Sequence, residues 1–169
     1  FIYYVLYCFM WNLIFINGHG SESELYGNKD EIILSVEDIS LLKDKFVYAR
    51  ACNAGLNFGK KMVDENNGCF IGYQCLFSFW IDQKWSAKPH NDNIAKLYLE
   101  PSNEIMISMI KGNTSLKAYE KSKNSMIENM KKILKMEEKN EPGAMNMLQV
   151  LWNNFEGQVL HGNKNFSVN

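Results

Sequence analysis

Leu13-Ile14-Phe15-Ile16-Asn17-Gly18-His19-Gly20 is an apolar run that ends in small residues around a histidine. Phe46-Val47-Tyr48-Ala49-Arg50-Ala51-Cys52-Asn53-Ala54-Gly55 repeats the plan around a cysteine. Strands covered on both faces read as unbroken apolar runs, so each segment is expected to be an interior strand of a parallel sheet. Gly and Ala after a strand allow a tight turn and leave room beside the reactive side chain.

Upstream of Asn17, the residues FIYYVLYCFMWNLIFI contain one polar member, Asn12. The run is shorter than the roughly 20 apolar residues of a membrane helix. A basic leader and a small-residue cleavage site are both missing, which disfavours a signal peptide. The preferred reading is a buried strand at 13–17, preceded by more buried chain. The sequence opens on Phe rather than Met, so a fragment truncated at the N-terminus is expected.

Downstream, strand-like and helix-like segments alternate. Residues 21–30 read as a polar loop, 31–35 as a short strand and 36–42 as a helical turn. A helix at 56–66 stops at Asn66-Asn67-Gly68, and 69–73 is a further apolar strand. Residues 76–81 read as a fourth strand. A helix at 92–99 should break at Pro101, and another spans 103–111. Thr114 caps the longest helix, whose apolar positions include Met126 and Met130. A last helix at 144–153 leads to a strand at 158–160.

This order predicts one α/β domain over residues 1–169, with a mostly parallel central sheet covered by helices on both faces. Catalytic groups in such sheets sit at the carboxyl ends of strands. His19 and Cys52 both fall there.

A formal net charge of −1 offers no basic excess for nucleic acid. The lysines of residues 117–139 are interleaved with Glu120, Glu128, Glu137 and Glu138, the pattern of a solvated helix face. Methionines at helical spacing read as flexible core. Cys8, Cys52, Cys69 and Cys75 form no CxxC pair, and His19, His90 and His161 have no metal-ligand spacing. No metal, cofactor or membrane partner is expected, and the reducing cytoplasm is the default setting. Cys8, Cys69 and Cys75 lie in or beside apolar strands and read as packing residues. Cys52 differs, because a helix is expected to begin just after it and to favour its thiolate.

The segments IFINGHGSES, FVYARACNAGLNFGKKMV and GCFIGY resemble the CHAT branch of the caspase-like cysteine peptidases. The similarity continues through Pro89–Ala95, Met109–Gly112, Leu151–Asn153 and Gln158–Leu160. The resemblance implies a three-layer α/β/α caspase-like fold and hydrolysis of peptide bonds in a protein substrate. It implies His19 and Cys52 as the catalytic pair, with the backbone N–H groups of Gly20 and Cys52 as the oxyanion hole. It also implies regulatory domains or subunits. The early strands that the family places before the His strand are reduced here to a short apolar lead-in. Leu160-His161-Gly162-Asn163 stands where relatives often place an acidic residue after Gly.

A catalytically inactive caspase-like interaction module remains the alternative. A nucleotide-binding domain would need a phosphate loop and an α/β-hydrolase a GxSxG elbow, and neither is present. Two residues compete to select the substrate side chain before the cut. Arg50 would attract an acidic side chain. Asp82 would attract a basic one, and the sequence reading leans towards Asp82.

Overall fold

The computed structural model describes residues 12–168. Cys8 and the earlier part of the apolar lead-in lie outside those residues. In order across the central sheet, the strands are β1 (Leu13–Asn17), β5 (Phe46–Arg50), β6 (Cys69–Tyr73) and β7 (Gln158–Gly162). β1, β5 and β6 run parallel, and β7 closes the edge antiparallel to β6. Among the described residues, four α-helices accompany them: α1 (Phe58–Asn66), α2 (Asn93–Ile110), α3 (Ser115–Glu138) and α4 (Ala144–Gly157).

The unbroken apolar runs have a direct cause. Leu13, Phe15, Phe46, Tyr48, Cys69 and Ile71 point to one face and join the core made with α2, α3 and α4. Their neighbours Ile14, Ile16, Val47, Ala49 and Phe70 point to the other face. There they pack with Phe58 and Met62 of α1, with Ile39 and Leu42 of a short 3-10 helix, and with Leu25. Period-two side-chain alternation therefore buries both faces of each strand. Met126 and Met130 of α3 are core residues.

Between β1 and β5 the chain builds a second, antiparallel sheet rather than a helix. It consists of β2 (His19–Gly20), β3 (Glu24–Tyr26) and β4 (Ile32–Ser35), in the order β2-β3-β4. Residues 21–30, expected as loop, therefore contain a strand. β3 is only three residues long, with Leu25 its one buried member. A strand that short leaves no periodic signal.

The expected break at Pro101 does not occur, and α2 runs through it. A proline inside a helix leaves the carbonyl four residues earlier without a donor. That carbonyl belongs to Leu97, and it accepts a bond of 2.8 Å from the buried Asn129 side chain of α3. Packing against α3 thus supplies the missing partner, and the helix need not end. Among the described residues, no helix is long and apolar enough to cross a membrane.

Candidate active site

The register Asn17↔Arg50 sets the carboxyl ends of β1 and β5 side by side. Each chain continues by two residues to reach its reactive side chain, His19 or Cys52. Gly18 N–H donates to the Arg50 carbonyl at 3.3 Å, which holds the two exits together. His19 and Cys52 consequently line one cleft of about 460 Å³, with Arg50 in the same wall. His19 is exposed and Cys52 half-buried.

Gly20 presses directly on the Cys52 backbone. A Cβ added there would lie 2.7 Å from the Cys52 carbonyl oxygen and 2.9 Å from Ala51 Cβ. Only glycine lets β2 approach this closely. Cys52 N–H donates to no backbone carbonyl among the described residues. The Cys52 thiol lies 3.9 Å from the Phe77 carbonyl, a weak S–H contact.

Helix α1 does not begin just after Cys52, as expected, but at Phe58. Residues 52–57 form turns, with Asn53 in the left-handed region at φ 59°. Asn53 N–H donates to the Cys75 carbonyl at 3.0 Å and Gly55 N–H to the Tyr73 carbonyl at 2.8 Å. These bonds fasten the turn to the end of β6 and take its donors away from a helical ladder. The helix terminus expected to favour the Cys52 thiolate is therefore displaced by a stretch of turn.

The other described thiols sit in different surroundings. Burial pushes Cys69 up to about 12. Cys75 is also raised, first by burial and then by the neighbouring Cys52. Of the other histidines, His90 lies exposed in a short 3-10 helix. His161 stacks on Phe70, and its Nε2 is 2.9 Å from the Gly55 carbonyl oxygen. His161 thereby holds down the far end of the Cys52 turn. Among the described residues, no cluster of three or more His, Cys, Asp or Glu is placed to hold a metal ion.

Residues 76–81 are not a strand. The Asn154 side chain takes the place of a neighbouring chain: its Oδ1 accepts from Ser78 N–H at 3.1 Å, and its Nδ2 donates to the Ser78 carbonyl at 2.6 Å. The alternation read as a strand serves the cleft instead, which Phe77, Phe79 and Ile81 line.

The two selectivity candidates are placed differently. Arg50 lines the cleft beside Cys52. Its Nε donates to Asn17 Oδ1 at 2.7 Å and its Nη1 to Asn103 Oδ1 at 3.0 Å. Asp82 is not among the cleft residues. It caps a short 3-10 helix and pairs with Lys84 at 2.7 Å, and hydrogen bonding to Lys84 lowers its carboxyl pKa. Asn17 and Asn103 were not singled out in the sequence. Asn17 had a legible signal, as the one polar residue closing an apolar strand, whereas Asn103 lies in a helix far along the chain and gives none. No family model, curated protein or solved structure matches the chain.

Proposed function

We propose that the chain is a cysteine endopeptidase of caspase-like, three-layer fold, with Cys52 as nucleophile and His19 as acid and base. The observation that carries this reading is the opening of His19 and Cys52 into one cleft, at the carboxyl ends of adjacent parallel strands. The resemblance of the GHG and ACNAG segments to the CHAT peptidases supports it independently.

The Cys52 thiol passes its proton to His19, and the sulfur attacks the scissile carbonyl carbon. The N–H groups of Gly20 and Cys52 receive the negative charge that forms on the oxygen. The C–N bond then breaks as His19 protonates the leaving amine, which leaves a thioester on Cys52. His19 next takes a proton from water, and the hydroxide attacks the thioester. The C–S bond breaks, His19 returns its proton to the sulfur, and the acid gives up its proton to solvent, which leaves a carboxylate, an amine and the restored thiol. Flanking regulatory domains would control access to the cleft.

The test is incubation with a denatured protein mixture, followed by mass-spectrometric identification of new peptide termini. New termini should form, vanish after alkylation with iodoacetamide, and persist in the presence of a metal chelator. No new termini, or cleavage that survives complete alkylation of Cys52, would refute the proposal.

A further inference from the structure

Among the described residues, Arg50 is a cation held in the cleft without a counter-charge. It ends β5, two residues before Cys52, and faces the same cavity as His19. Asn17 on β1 and Asn103 on α2 fix its guanidinium through their amide oxygens. Both partners are neutral, so they orient the group and leave its charge in place. Among the described residues the ion pairs are Lys84–Asp82 and Lys131–Glu128, and neither involves Arg50. The two amide bonds use only part of the guanidinium fork, which presents several N–H donors in a plane suited to a carboxylate.

The rest of the cleft wall is mainly apolar, with Phe77, Phe79, Ile81 and Leu99. An extended peptide would lay its aliphatic and aromatic parts on that surface. Near Cys52 the guanidinium supplies the fixed cation that can pair with a substrate side chain. In a cleft partly shielded from water, a fixed cation favours a carboxylate and disfavours Lys or Arg. Asp82 offers no competing selection, because its carboxylate is already paired with Lys84 and lies outside the cleft.

We infer that Arg50 is the specificity-determining residue of this cleft and selects peptides with Asp or Glu immediately before the bond cut. The inference rests on the cysteine-peptidase reading and deepens it. Asn17 and Asn103 are the positioning residues that hold the fork towards the substrate.

The test uses matched peptides that differ only at that position, carrying Glu, Gln, Asp, Asn or Lys. For the wild type, kcat/KM should favour each acid over its amide by about 10- to 100-fold, the scale of a charge-assisted hydrogen bond. In Arg50→Gln the ratio should fall to about one, because the charge that discriminates is gone. Arg50 also ties β5 to β1 and α2, so Arg50→Lys provides a second variant. It keeps the charge but not the fork, and should retain a reduced preference for acids. Asp82→Ala should keep the full ratio.

A wild-type preference for Lys or for the amides overturns the inference, as does an acid preference that survives Arg50→Gln. In either case Cys52-dependent cleavage still stands, so the peptidase reading is unaffected. Failure to cleave any peptide of the set or any protein in the mixture overturns both.

Discussion

Cys52→Ala is expected to reduce peptide hydrolysis by about 10⁴-fold or more, to the background of the assay, since the step that forms the thioester has no substitute. What little acceleration remains would come from substrate held against the Gly20 and Cys52 N–H groups. The fold should hardly notice the change. Cys52 is only half-buried, and its sulfur lies a long 3.9 Å from the Phe77 carbonyl. The backbone bonds that shape the turn come from Asn53 and Gly55 and survive the substitution. The melting midpoint should therefore move by no more than about 2 °C, as for a substitution outside the core. Circular dichroism and a peptide-cleavage assay on the same preparation check both halves. Measurable turnover well above background in Cys52→Ala would remove the sulfur from the chemistry.

His19→Ala is expected to lower kcat by about 10³-fold, the middle of the range for general acid–base catalysis. The loss is smaller than for Cys52 because the sulfur can still attack, with water as a poor proton carrier. His19 is exposed, and its strand is held by backbone pairing with Tyr26, so its side chain contributes little to the core. His161→Ala is the informative contrast. Its ring stacks on Phe70 and meets the Gly55 carbonyl, so its loss should lower the melting midpoint. A loss of kcat in His161→Ala that exceeds the loss in His19→Ala, with the fold intact, would point to the wrong histidine.

The sequence made the central strands legible because burial on both faces leaves a mark that needs no partner to read. Leu13–Asn17 and Cys69–Tyr73 are bounded as read, and Phe46–Arg50 extends the reading by one residue. What escaped depends on contacts between distant residues. Pro101 is a helix breaker by local rules, and Asn129, on another helix, satisfies the carbonyl it strands. Residues 76–81 alternate like a strand, but the Asn154 side chain replaces the ladder. Helix α1 begins late because the end of β6 takes the donors that a helix would need.

The candidate site was legible to a similar extent. His19 and Cys52 announced themselves by small neighbours and strand ends. The sequence leans towards Asp82 over Arg50 because it does not show their partners, Asn103 for Arg50 and Lys84 for Asp82. A residue's charge is written in the sequence, but whether that charge is already paired is not.

The dyad is tested most directly by covalent trapping with a peptidyl acyloxymethyl ketone, followed by intact mass and peptide mapping. The native protein should take up a single equivalent on Cys52. His19→Ala should label far more slowly, and the buried Cys69 and raised Cys75 should remain unmodified on the same timescale. An absence of adduct at Cys52, or labelling of Cys75 as fast as Cys52, would contradict the assignment of Cys52 as the activated nucleophile.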